Sequence, residues 1–237
     1  MLLMRFDQLT MAVVVALVFV FAWSRPAMAQ QSVTLTGGYF SVRGADARLD
    51  HDVAIENLNL FAFDLSDFNS GTFGGSWNVA LGEYFETSLG LGYSRRTVPS
   101  VYDQFVNIDG SEISQEFTLQ VVPFTATLQV FPFGLSAVFQ PYFGGGVGLY
   151  RWRYSEVGDF IDFGDFSVFR DRYVAEGSDM GSVLLGGVRV PVSDRYSVGA
   201  EVRYREANGV VGIENGFLED RIDLGGVTWQ VTLQVNF

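Results

Sequence analysis

The 237-residue chain contains no cysteine, no lysine, one histidine and only six prolines. Without cysteine there is no disulfide scaffold and no thiolate-held zinc or iron–sulfur site. One histidine leaves imidazole chemistry a single candidate, His51. All 15 basic residues are arginine, they face 27 acidic residues, and the net charge is −12. The basic patch that nucleic-acid binding requires is missing. Long apolar runs are scarce as well, since no stretch after Gln30 has the ~20 residues that a spanning helix needs. What the chain does have is 48% hydrophobic residues, 22 phenylalanines and 27 glycines, far too apolar a mixture for a disordered chain.

The first 29 residues read as an export signal. Arg5 precedes an uninterrupted apolar run over 11–23, and Ala27-Met28-Ala29 supplies the small-x-small pattern before Gln30. Thirteen apolar residues fall short of a membrane-spanning helix, which sets the competing reading, a retained anchor, behind cleavage after Ala29. Residues 30–237 then form one domain. An exported chain with no second apolar helix is either soluble or held in a membrane by strands, because only helices and closed barrels satisfy every backbone polar group in lipid.

The remainder alternates. Val227, Trp229, Val231, Leu233, Val235 and Phe237 share one parity, and Thr228, Gln230, Thr232, Gln234 and Asn236 share the other. This is period two without exception, the signature of a strand with one apolar face. Tyr196, Val198, Ala200, Val202 and Tyr204 alternate in the same way with Ser197, Gly199, Glu201, Arg203 and Arg205. Similar patterns cover 76–81 and 87–94, together with 33–42, 142–154 and 183–192, although Gly144-Gly145-Gly146 leaves the facing of 142–154 open. Residues 116–130 alternate twice, with a phase flip at Val122-Pro123 that is expected to be a β-bulge. The count is eight strands. The segment 55–63 alternates poorly, and if it spanned, a further strand would be needed to keep the number even.

Short links near 83–85, 132–140 and 193–195 alternate with long ones over 44–72, 97–116, 155–181 and 206–223. An even-numbered meander with short turns at one end, long loops at the other and one polar parity is the pattern of an all-β, eight-stranded, antiparallel, up-and-down transmembrane β-barrel. A soluble lipocalin-like barrel, with the apolar parity turned inward, is the alternative. Glu201, Arg203 and Arg205 favour the membrane reading, because a charge facing lipid near the midplane costs ~2–4 kcal/mol whereas charges in a lumen can pair.

With its N-terminal signal, its eight strands and the final Trp229-Gln230-Val231-Thr232-Leu233-Gln234-Val235-Asn236-Phe237, the chain resembles small bacterial outer-membrane barrels of the OmpA, OmpX and OmpW types. The glycine-rich 141–150 is similar to a strand common among them. The resemblance implies a Gram-negative outer membrane, both termini in the periplasm, a monomer, and contact with outer-membrane lipid and lipopolysaccharide. It also implies that Trp229, Val235 and Phe237 form the signal read by the barrel assembly machinery. No peptidoglycan-binding domain follows Phe237, unlike the full-length OmpA pattern.

The four long links carry six, four, seven and five acidic residues, 22 of the 27. Asp159, Asp162 and Asp165 offer hard oxygen ligands of the kind Ca²⁺ or Mg²⁺ prefers, in a spacing unlike an EF-hand; the plainer reading is a solvated acidic loop. Glu201, Arg203, Arg205, Arg189, Arg151 and Arg153 are candidates for a lumenal ion-pair network. An eight-stranded barrel is just wide enough to be filled by side chains, so such a network plugs rather than conducts. His51, within Asp50-His51-Asp52, is the one candidate for a general base, but no nucleophilic serine accompanies it. The expected function is a non-enzymatic structural or surface-interaction barrel without a cofactor. The alternatives are a narrow channel or transporter of small or apolar molecules, as the OmpW resemblance would imply, and, behind it, a lipid-modifying enzyme.

Overall fold

A computed structural model describes residues 30–48 and 50–237. The export-signal reading, with its cleavage residues Ala27 and Ala29, lies outside them. Ten strands follow in order: β1 (Gln31–Val42), β2 (Ser70–Ala80), β3 (Phe85–Val106), β4 (Glu112–Val130), β5 (Gln140–Ile161), β6 (Val168–Pro191), β7 (Tyr196–Glu206), β8 (Asn208–Val210), β9 (Arg221–Asp223) and β10 (Gly226–Asn236). Eight of them close a ring in which each strand pairs with its chain neighbour, β7 pairs with β10, and β10 pairs with β1 through Val33↔Val235 and Leu35↔Leu233. β8 and β9 form a separate two-stranded ribbon in the last connection. The segment 55–63 does not span: it begins in the helix α1 (Val53–Asn57), capped at its N-terminus by Asp52, and goes on to a bridge from Phe61 to Tyr102.

In the lower part of the ring, at the end with the short turns, the apolar parity points outward. Leu35, Leu89, Leu91, Phe124, Leu128, Phe143, Val147, Leu184, Val198, Trp229 and Val231 are all exposed there. Ser32, Thr34, Asn78, Ser88, Thr127, Gln129, Ser197 and Gln234 are buried inside. An apolar outer belt around a polar interior suits lipid and not water, which overturns the soluble, inward-facing alternative. Exposed aromatics ring the belt at both edges: Tyr39, Phe73 and Trp229 above, Trp77, Phe85, Phe143, Tyr196 and Phe237 below. Such girdles sit where headgroups meet hydrocarbon.

Above the belt the pattern inverts. On β4 the inward residues are mainly apolar above Pro123, Ile113, Phe117, Leu119 and Val121 with the one polar Gln115 among them, and polar below it, Thr127 and Gln129. The pairing of β4 with β5 runs unbroken from Gln115↔Gly158 to Val130↔Phe143. The phase flip at Val122-Pro123 is therefore not a bulge. The strand keeps its facing while its surroundings change, from a water-bathed sheet with an apolar inside to a lipid-bathed one with a polar inside. On β5 the same level falls at Tyr150, which pairs with Pro123 and with Asp179 of β6.

The links over 97–116 and 155–181, read above as loops, are mostly strand. β5 continues eleven residues beyond Tyr150, about 35 Å at ~3.3 Å per residue. Together β3 to β6 form a four-stranded wall above the membrane. The first and last connections fold against its inner face, bringing Val53, Phe61, Phe68, Phe217, Ile222 and Leu224 into one core with Val98, Phe117, Trp152 and Tyr154. Trp152 is held flat by two glycines, since a Cβ at Gly209 or Gly177 would lie 2.4 or 2.9 Å from its indole. Its Nε1 donates to Asp179 at 2.6 Å.

Candidate functional site

The lumen and the cap above it carry most of the buried charge of the described residues. Lowest are the uncharged bonds: Asn78 donates to Thr34 at 2.8 Å and accepts from Ser88 at 2.8 Å, while Gln234 donates to Ser32 at 2.8 Å. Next comes Arg189, which binds both carboxylate oxygens of Glu86 at 2.7 and 3.1 Å, with its guanidinium 4.7 Å from the centre of the Phe131 ring. A planar guanidinium suits this two-pronged grip and the stacking together. Glu86 was not among the residues singled out from sequence, although it continues the inward parity of Ser88 and Gly90 by one step.

Higher in the lumen, Glu201 accepts from Tyr142 at 2.9 Å, from Gln230 at 2.6 Å and from Nε of Arg203. Arg205 lies above this group. Its Nε donates to the Leu224 carbonyl at 2.8 Å, and its guanidinium sits 3.7 Å from the centre of the Phe40 ring and 5.8 Å from that of Tyr150. Four of the six arginines and acids expected in the lumen, Arg189, Glu201, Arg203 and Arg205, thus point into it. Arg151 and Arg153 do not. β5 buries its even-numbered residues, so both arginines are exposed on the outer wall just above Leu149, Arg153 loosely paired with Glu176 at 3.9 Å. Alternation could have shown this, had the glycine run not hidden the phase.

In the cap, Arg48 binds Asp52 at 2.5 Å and donates to the Asp223 carbonyl at 3.1 Å, and Arg43 binds Asp223 at 3.3 Å. These contacts tie the first connection to the last. Burial lifts the Asp52 carboxyl above its ordinary range in spite of Arg48. Glu156 is buried with no cation of the described residues beside it, accepting from Asn57 of α1 at 2.7 Å and from Tyr154 at 2.9 Å. Burial raises its carboxyl too, against the opposing effect of those two bonds. Neither Asn57 nor Glu156 carries a sequence signal, because only folding brings residues 99 apart into contact.

The candidate cation site does not assemble. Asp162 and Asp165 are exposed and bond within their own turn, to the backbone nitrogens of Gly164 and Ser167, and Asp159 lies 3.5 Å from Arg170. Among the described residues no group of three histidine, cysteine or acidic side chains is placed to hold a metal ion. His51 is exposed in a left-handed backbone conformation and its Nδ1 meets Glu219 at 3.2 Å; Asp52, its sequence neighbour, is turned away to Arg48. Trp229, Val235 and Phe237 lie on the outward face of β10, Trp229 opposite Tyr39 and Phe237 exposed at the lower edge.

The ring closure, the outward apolar belt and the polar lumen define the class: an eight-stranded, antiparallel transmembrane β-barrel. No protein-family profile matches the sequence, and no curated protein does. Solved structures similar to it include outer membrane protein OprG from Pseudomonas aeruginosa, with 11% identity over 88% of this chain and 97% of that one and a TM-score of 0.48. Neisserial surface protein A is 12% identical over 88% and 97%, with a TM-score of 0.46. Outer membrane protein W of E. coli is 18% identical over 88% and 98%, with a TM-score of 0.39.

Proposed function

We propose that the mature chain is a monomeric outer-membrane barrel with a structural or surface-interaction role, a largely plugged lumen and no enzymatic activity. The observation that carries this reading is the state of the lumen at the level of Arg205. The free space there amounts to ≈ 60 Å³, crossed by Arg205 stacked on Phe40, with the apolar core of the cap directly above. In this reading the acidic hairpins face the outside of the cell and the short turns face the periplasm. The exposed Arg95, Arg151 and Arg153, just above the lipid belt, stand where lipopolysaccharide phosphates would meet them. Phe237 and Trp229 on the lipid-facing side of β10 are available to the assembly machinery.

Single-channel recording in a planar bilayer tests the plug. No discrete steps are expected from the wild-type barrel, and steps that persist across preparations would replace the plug by a pore. A second reading, a narrow path with a lateral exit for small apolar molecules, rests on one observation. The pairing of β3 with β4 stops at Leu91↔Phe124 and resumes at Ser94↔Val121, leaving the wall unpaired beside Pro123, which lines the small lumenal space. Uptake of an apolar dye into vesicles carrying the barrel, lost when Pro123→Ala restores a ladder donor, would establish that path.

A further inference from the structure

We propose that the lumen holds a small inorganic monovalent anion of about the size of chloride, bound beside Arg205. The argument is one of charge and of unfilled donors. Each of the other buried arginines has a carboxylate: Arg189 has Glu86, Arg203 has Glu201, Arg43 has Asp223 and Arg48 has Asp52. Arg205 has none. Of its three guanidinium nitrogens, Nε reaches a carbonyl, Nη2 is enclosed without any partner, and Nη1 makes no hydrogen bond to the described residues. An aromatic face offsets part of a buried positive charge, but a full guanidinium out of water is costly unless a counter-charge is supplied.

The space to supply one adjoins it. The ≈ 60 Å³ cavity is lined by Arg203 and Arg205 and by four threonines, Thr36, Thr72, Thr125 and Thr228, and no acidic residue lines it. A single water needs roughly 10–15 Å³, so the cavity has room for a halide with a few waters. Threonine hydroxyls rotate and donate to an anion as readily as they accept, and with Arg203 already answered by Glu201 the uncompensated guanidinium of Arg205 fixes the sign of the guest. Thr36, Thr125 and Thr228 stand on β1, β4 and β10, so the anion would be gripped from three sides of the ring. The site neutralises the one buried arginine that has no carboxylate in contact among the described residues, and rigidifies the barrel just below the cap.

The test uses the full mature barrel in detergent. Crystals soaked in bromide are expected to show an anomalous peak in the lumen between Arg205 and Thr125. In solution, replacing gluconate by chloride at fixed ionic strength should raise the unfolding midpoint of the wild type by about 3 °C, and the rise should vanish in Arg205→Met. If Arg205→Met does not fold, Thr125→Val with Thr228→Val, which leaves both guanidinium groups in place, should reduce the rise by more than half. Absence of a bromide peak, or an identical chloride response in wild type and variants, would show that water alone fills the cavity and would overturn the proposal. Either result is independent of channel recording, because a bound counter-ion requires no path through the lumen.

Discussion

The two halves of β4 face the same way and obey opposite rules. Below Pro123 its inward residues are Thr127 and Gln129 and its outward ones Phe124 and Leu128; above, Phe117 and Val121 turn inward while Ser114, Glu116 and Thr118 turn out. Nothing in the backbone distinguishes the halves, since the register to β5 is continuous through both. The difference lies in the solvent. A strand in lipid gains nothing from hiding leucine inside, and must keep polar groups where they can pair; a strand in water gains by burying phenylalanine and solvating glutamate. One continuous strand thus reports the level at which its surroundings change from hydrocarbon to water.

The largest effect that would break this comparison comes from the cap. Trp152→Ala removes the centre of its core and should cost that region about 3–5 kcal/mol. Hydrogen exchange should then rise across α1 and the ribbon of β8 and β9, while the heat-dependent gel shift of the barrel below persists. Joint loss of both would mean that the halves fold as one unit. The next effect tests the inversion itself. Leu184→Arg, outward in the lipid belt, should destabilise by ~2–4 kcal/mol, whereas Ser178→Arg, six residues up the same face of β6, should stay within about 0.5 kcal/mol. Equal costs at the two positions, measured by denaturant unfolding in lipid vesicles, would remove the boundary from the level of Asp179.

A smaller effect concerns pH and is confined to the cap. Glu156 is raised by burial, and the groups near it among the described residues are Asn57 of α1, Tyr154 of β5, Tyr102 of β3 and Tyr173 of β6, with no cation among them. A carboxyl whose folded value is raised stabilises fully below its unfolded value, ~4.3, and loses that contribution as pH climbs through the folded value. Asp52 acts in the same direction. Exchange protection of α1 should therefore weaken as pH rises above that of an ordinary carboxyl, and Glu156→Gln, which can still accept from Asn57, should flatten the dependence. A cap whose protection instead improves with rising pH would show that Glu156 has found a cation. The heat-dependent shift of the barrel should be indifferent to the same substitution.

Much of this was legible along the chain, and unevenly. β10 and β7 could be read residue by residue, because each lies within lipid over its whole length and presents one unbroken alternation. β4 could not, since its pattern is the sum of two environments, and the simplest local explanation of a phase flip beside a proline is a bulge. β5 hid its phase behind glycines, which assigned Arg151 and Arg153 to the wrong side of the wall. The buried pairs divide similarly. Arg189, Arg203 and Arg205 follow from parity, whereas the partner of each depends on which strands are neighbours and at what height.

From the sequence alone came the closed meander of eight strands, the polar parity and the count of short and long connections, because alternation at period two is a local property and lipid rewards it strand by strand. The tertiary structure alone decided that two of the long connections are strands, that the other two fold inward to roof them, that Glu86 answers Arg189, and that Arg205 is left without a carboxylate. Those outcomes depend on contacts between residues far apart in the chain, whose energies exist only once the ring has closed and set every strand at its height.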